Sequence, residues 1–257
     1  MSAYEIYIAY STIVRKEIQR FMRIWVQTLL PPSIIMVLYF IIFGNLIGSR
    51  IGQMGGFDYM QFIVPGLIMM SVISNSYGNV VSSFYSTKYQ GSLEEMLVSP
   101  MPNWVILAGY VTGGVARGLA VGTIVTCLSL FFTQLDVHNL GIIVLVVLMT
   151  SILFSLGGFI NAVFANSFDD IAIVPTFILT PLTYLGGVFY SIDLLPDFWA
   201  SVSQLNPILY MVNAFRFGIL GVSDIPVGYS LLVICGFIIA LFSYCMHLLN
   251  TGKGIRK

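Results

Sequence analysis

Charge is what this sequence has least of, and its scarcity removes most of the options open to a chain of 257 residues. Charged residues make up 9 % of it and hydrophobic residues 58 %, whereas an ordinary soluble domain carries about 25 % charge. Eleven Lys plus Arg and eleven Asp plus Glu cannot coat a water-facing surface of this size, which excludes a soluble enzyme or binding domain. Because the two signs cancel, no positive field remains to hold nucleic-acid phosphates. Cysteine is scarce as well. Cys127, Cys235 and Cys245 sit in apolar runs and lack the spacing of a metal or disulfide framework. The two histidines, His138 and His247, stand far apart, and neither an HExxH pair nor a GxSxG elbow is present. A phosphate-cradling GxxxxGK loop is missing too, since Gly252-Lys253 is followed by Gly254. Catalysis and nucleotide binding are therefore not expected of this chain. Any ATP and Mg would sit on a partner.

What the sequence does contain is long uncharged runs, between Arg23 and Arg50, Asp58 and Lys88, Asp136 and Asp169, Asp170 and Asp193, and Asp224 and Lys253. A further region, from Glu95 to Asp136, is interrupted only by Arg117. A helix crosses the bilayer in about 20 apolar residues. The runs predict an all-α membrane protein in one domain, 1–257, with six transmembrane helices at about 25–47, 60–82, 106–132, 140–165, 171–190 and 227–249. A seventh span at 197–216 is disfavoured by Gln204, Asn206, Pro207 and Asn213. With six spans, Arg15, Lys16, Arg20, Arg23, Lys88, Lys253, Arg256 and Lys257 share one side with both termini, while Arg50 and Arg216 take the other. Eight against two puts both termini in the cytoplasm. Residues 3–23 interleave apolar and charged positions at helical spacing, which predicts an amphipathic helix at the inner interface rather than a cleavable leader.

Chemistry is expected in three places. The loop after the second span reads Gly91-Ser92-Leu93-Glu94-Glu95-Met96-Leu97-Val98-Ser99-Pro100. It predicts a two-turn helix, capped by Ser92 with Glu95, that either rests on lipid or docks a partner through Leu93, Met96 and Leu97. Outside, residues 193–217 read as two short helices broken at Asn206-Pro207, forming a re-entrant hairpin or a surface-lying support. Within the spans, Asn75, Tyr77 and Asn79 form a polar strip, and Gly186-Gly187 lies in the fifth span beside Tyr184. Arg117 is the one charge well inside a span; it either snorkels or pairs within the membrane, or takes part in a path. No Asp or Glu is central to any span, so coupled ion transport has a weak footprint.

Three segments then carry a resemblance: the loop Gly91 to Pro100, the run Pro181-Leu182-Thr183-Tyr184-Leu185-Gly186-Gly187-Val188-Phe189-Tyr190, and Leu195-Pro196 with Asn206-Pro207-Ile208-Leu209-Tyr210 and Arg216. With these the chain resembles the integral membrane (permease) subunit of ABC-2 type transporters, and most of all the small bacterial inner-membrane permeases encoded as separate chains. The resemblance implies a permease of an ATP-binding cassette exporter, paired as a homodimer in a two-plus-two complex with a separate ATPase subunit. It makes Leu93, Glu94, Glu95, Met96 and Leu97 the ATPase-coupling helix. It also makes Asn75, Tyr77, Asn79, Arg117, Tyr184, Gly186, Gly187, Asn206, Pro207, Tyr210 and Arg216 candidates for path or gate. A secondary transporter and a non-transporting structural subunit are the alternatives.

Overall fold

The computed structural model describes residues 2–254; Arg256 and Lys257 of the charge count lie outside them. The first helix, α1 (Ala3–Arg23), opens with a capping box in which Ser2 N donates to Glu5 Oε2 (2.7 Å) and Glu5 N to Ser2 Oγ (3.3 Å). The next helical run, Trp25–Ile51, is assembled from pieces. These are α2 (Trp25–Thr28), α3 (Leu30–Tyr39), a wider π-helical stretch (Phe40–Ile47) and α4 (Gly48–Ile51). The break at Leu29 lies just before Pro31-Pro32, whose ring nitrogens cannot donate to the preceding turn. Strands β1 (Gln53–Met54) and β2 (Phe57–Asp58) pair antiparallel across Gly55-Gly56. Both glycines have positive φ, 61° and 84°, as a two-residue hairpin turn requires.

Helix α5 (Tyr59–Tyr89) follows, then α6 (Ser92–Val98), α7 (Asn103–Ser129) and α8 (Leu140–Phe164). The segment Asp170–Tyr184 comprises α9 (Asp170–Val174), a π-turn (Pro175–Leu179) and α10 (Thr180–Tyr184). A 3-10 turn (Ile192–Leu194), α11 (Asp197–Gln204), α12 (Pro207–Leu220) and α13 (Val227–Thr251) complete the order. Helix α5 is the centre of the bundle, packed mainly on α7 and α8, with α12 also against it. Its approach to α8 depends on Gly158, where a Cβ would come within 2.6 Å of the Tyr77 carbonyl.

Charge separates the two ends of the bundle. At one end, Lys16 reaches Thr87, Lys88 donates to the carbonyls of Val163 and Ala165 at the end of α8, and Asn103 meets Asn250. At the other end the Asn139 amide joins Gly218, Gln61 joins Gln134, and the Ile192 amide donates to Asp224.

The six-span, hairpin reading needs correction. Among the described residues, four helices are long and apolar enough to cross a membrane: Trp25–Ile51, Asn103–Ser129, Leu140–Phe164 and Val227–Thr251. Gaps between charges overcounted, because an uncharged residue is not necessarily an apolar one. Helix α5 has 31 residues, but Ser71, Ser74, Asn75, Ser76 and Asn79 dilute its apolar character. The 171–190 span shrinks to the shorter helix Asp170–Tyr184, interrupted at Pro175 and followed by turns. The outer segment is no re-entrant hairpin. Helices α11 and α12 scarcely touch each other, and α12 packs on α5, α8 and α13. The cap of α6 also differs from expectation: Gly91, with φ of 78°, occupies the N-cap, and no side chain caps the helix.

Helix α1 lies along α7, and a Cβ at Gly109 would come within 2.5 Å of Ile13 Cγ2. Replacing Gly109 with Leu is therefore expected to lift α1 from the bundle. Trypsin should then cleave after Arg15 and Arg20 in a variant that still inserts into membranes, while the parent chain resists at those sites.

Candidate functional site

Two polar assemblies organise the interior, one near each end. The first joins α1, α5 and α7. Glu17 lies on the same side of α1 as Ile13 and Phe21, four residues away from each, and all three are buried. Its Oε1 accepts from Ser83 Oγ at 2.6 Å, and its Oε2 lies 3.6 Å from Arg20 Nε, the one ion pair among the described residues. Arg20 reaches onward to α5, donating to Asn79 Oδ1 (2.8 Å), Asn79 O (2.9 Å) and Ser82 Oγ (3.4 Å). One turn along α5, Asn75 Oδ1 accepts from Arg117 of α7 at 3.0 Å. The same Arg117 nitrogen lies 3.4 Å from the carbonyl of Thr28. That carbonyl faces Pro32, which has no N–H to return to it. Thus Arg117 pairs inside the bundle, between a side-chain amide and a carbonyl that proline has set free.

The second assembly secures the segment after α10. Arg216 is 1 % exposed, donates to Gly187 O (2.6 Å) and Phe62 O (3.4 Å), and lies 3.9 Å over the Phe62 ring. Asn206 donates to Leu182 O at 2.6 Å while its Oδ1 accepts from Ile208 N at 3.0 Å, so one amide ends α10 and starts α12. Gly186 admits Ile208, and Gly187 holds a left-handed turn at φ of 70°. Tyr59 donates to Phe189 O at 3.2 Å, and Tyr210 to Gln204 O at 2.7 Å. Tyr184 is half exposed and stacks on Phe189. Pro207 is the first residue of α12.

Along α5, past both assemblies, one face is left open. Met70, Ser74, Gly78, Ser82 and Ser86 recur every fourth position, and none of the five is buried, in a helix whose other faces are covered. Ser74, Tyr77 and Gly78 line a cavity of about 130 Å³ with Pro175, Thr180 and Thr183 from the π-turn and α10. Tyr77 is otherwise buried toward α8.

The sequence-derived candidates thus fall into two groups. Asn75, Asn79 and Arg117 share the first assembly; Gly186, Gly187, Asn206 and Arg216 share the second. On α6, Leu93 is buried in its own chain, Met96 and Leu97 are half-buried, and Glu94 and Glu95 are exposed. Sequence reading missed Glu17, Arg20 and the open α5 lane. A carboxylate at i+4 from Ile13 and i−4 from Phe21, and Ser74, Gly78, Ser82 and Ser86 in fourfold spacing, were the signals available.

A profile describing ABC-2 type transporters matches residues 8–220. The chain belongs to the ABC-2 type transporter family. It is 60 % identical over 251 residues to the inner membrane transport permease YadH of Escherichia coli K12, covering 98 % of each chain. The protein of that name from Shigella flexneri matches to the same extent. Nodulation protein J of Rhizobium leguminosarum bv. viciae is 22 % identical over 215 residues, 83 % of each chain. As an ABC-2 type protein the chain is the permease subunit, and ATP hydrolysis belongs to a separate chain.

In this permease the Arg216 guanidinium satisfies two backbone carbonyls at once. Arg216→Met keeps much of the volume and leaves Gly187 O without its donor. It is expected to cost about 2–3 kcal/mol and to lower the unfolding midpoint in detergent, whereas Tyr244→Phe on the exposed face of α13 should leave the midpoint unchanged.

Proposed function

We propose that two copies of this chain form the membrane part of an exporter and that two ATPase subunits, carrying ATP and Mg, dock beneath them. The open lane of α5 carries this reading. Helix surfaces facing lipid are apolar, so a continuous row of hydroxyls and glycine in a chain that is 58 % hydrophobic fits a hydrated path or cargo better than acyl chains. The lane, flanked by Asn75, Tyr77, Asn79 and Arg117, is the path between the paired permeases. The second assembly, with Tyr184, Gly186, Gly187, Asn206, Pro207, Tyr210 and Arg216, frames its far end as a gate support.

The end bearing α1, α6, Lys88 and Lys253 faces the cytoplasm, with both termini, because it holds most of the cations, while Asp58, Asp136, Asp193 and Asp224 gather at the other. The permease relatives named for the inner membrane support that location. The whole chain, 1–257, acts as one transmembrane domain. Helix α6 is the coupling element. Leu93 anchors it, Met96 and Leu97 flank it, and Glu94, Glu95 and the 87 % exposed Val98 meet the ATPase. A cavity of about 400 Å³ between α1 and the α6 region, lined by Ile13, Lys16, Met96 and Met101 among others, widens the same surface.

Gentle extraction is expected to recover a soluble ATPase with the permease. Val98→Asp should reduce that recovery severalfold with insertion unchanged. Ser74→Trp, which fills the lane, should keep the ATPase bound and abolish cargo-stimulated ATP turnover in vesicles. A chain recovered without any ATPase, or full stimulation in Ser74→Trp, would refute the reading.

A further inference from the structure

The first assembly contains more positive charge than its pairings account for. Arg20 and Arg117 hold neighbouring turns of α5, through Asn79 and Asn75. Each side chain carries a guanidinium cation. The one carboxylate among them is Glu17, which lies 3.6 Å from Arg20 and also accepts from Ser83. Arg117 has no carboxylate partner among the described residues, only Asn75 Oδ1 and Thr28 O, and its buried Nε has no acceptor. A guanidinium partly withdrawn from water and held by neutral acceptors alone is costly, and an anion beside it lowers that cost. Both side chains are only partly buried. Arg20 bonds Ser82, a lane residue, and Arg117 reaches the same helix one turn away at Asn75.

We infer that Arg20 and Arg117 form an anion-binding site on the α5 lane, suited to a phosphate-type headgroup on an amphipathic molecule. The chemistry follows from the donors. A tetrahedral oxyanion accepts from two guanidinium forks at once, where a carboxylate or neutral hydroxyl uses fewer of them. The hydroxyls of Ser74, Ser82 and Ser86 continue the polar surface, and the apolar exterior beyond accommodates an acyl chain. The inference rests on the lane being the path, and it adds what the path recognises. The headgroup has two sources, a resident membrane lipid or the cargo itself.

The probe is n-dodecyl phosphate, titrated into the permease purified in dodecyl maltoside, with n-dodecyltrimethylammonium as the charge-inverted control. Thermal midpoint and tryptophan fluorescence report binding. Dodecyl phosphate is expected to raise the midpoint saturably and the cation to have no such effect. Arg117→Gln and Arg20→Gln should each weaken apparent affinity about 10-fold, Arg117→Lys should retain part of it, and Arg50→Gln at the opposite end all of it. If Arg20→Gln loosens α1, Arg117→Gln decides, because α1 is fastened to α5 by Arg20 and Glu17 and not by Arg117. Equal binding by Arg117→Gln and the parent chain, or equal stabilisation by both surfactants, overturns the site. In vesicles with the ATPase, stimulation of ATP turnover by dodecyl phosphate identifies cargo. Stabilisation with unchanged turnover identifies a lipid headgroup, and the site stands in either case. Loss of the site would leave ATPase recovery and the effect of Ser74→Trp untouched, so the two readings fail separately.

Discussion

A backbone carbonyl buried away from water must find a donor, and much of this structure is arranged around that requirement. Unbroken helices meet it internally. Here prolines interrupt the ladder, and side chains from neighbouring helices repair it. Pro32 frees Thr28 O, and Arg117 crosses from α7 toward it. Pro175 frees Ile171 O, and Asn161 of α8 donates to it at 3.1 Å. At the end of α10 the carbonyl of Leu182 is met by Asn206, and those of Gly187 and Phe189 by Arg216 and Tyr59. Lys88 does the same for the end of α8, where a cation also suits the helix dipole.

Repair by side chains has a mechanical consequence. A helix ladder gives up its bonds cooperatively, whereas a side-chain bond to a carbonyl can be exchanged for about 1 kcal/mol net. The discontinuous elements, Trp25–Ile51 and Asp170–Tyr184, are those with prolines and π-helical turns. The continuous ones, α5, α7, α8 and α13, pack as the frame. Two packings of similar energy are easiest to build where the frame stays intact and the broken segments change partners.

What the sequence revealed and what it concealed follow from the same physics. Apolar length in α7, α8 and α13 is a property of composition and reads directly. The apparent spans at 60–82 and 171–190 did not survive, because serine, asparagine and proline carry no charge yet change what a helix does in an apolar medium. The cap of α6 was misread because Gly91 can adopt φ of 78° and start the helix without the Ser92 hydroxyl. Leu93 read as a presented apolar face, but in a helix this short the face that holds it to its own chain is the apolar one. Arg117 and Asn75 were legible as polar residues in apolar runs. Their pairing was not, since it depends on which turns of α5 and α7 meet. Glu17 was hidden in an amphipathic pattern that tolerates charges elsewhere on the helix.

The two elements expected to feel the ATPase converge on one helix. Helix α6 is joined to α5 through the short turn after Tyr89. Helix α1 is separate in sequence but is fastened to the same α5 by Glu17 to Ser83 and by Arg20 to Asn79 and Ser82. A push on either element therefore reaches α5, one through the chain and one through polar bonds. Helix α5 also bears the open lane, and its far end lies under Arg216, which bonds Phe62 O, and beside Val188, which Gly66 admits. Displacement at the basic end can thus reach the carbonyl clamp at the acidic end along a single helix of 31 residues, about 45 Å at 1.5 Å per residue. Pro65 lies inside that helix, one turn from the clamp, and allows the first turn of the helix to bend instead of transmitting the whole displacement. In the proposed exporter the polar face of α5 would be both path and lever, which would account for the most buried helix of an apolar chain being also the one richest in serine and asparagine.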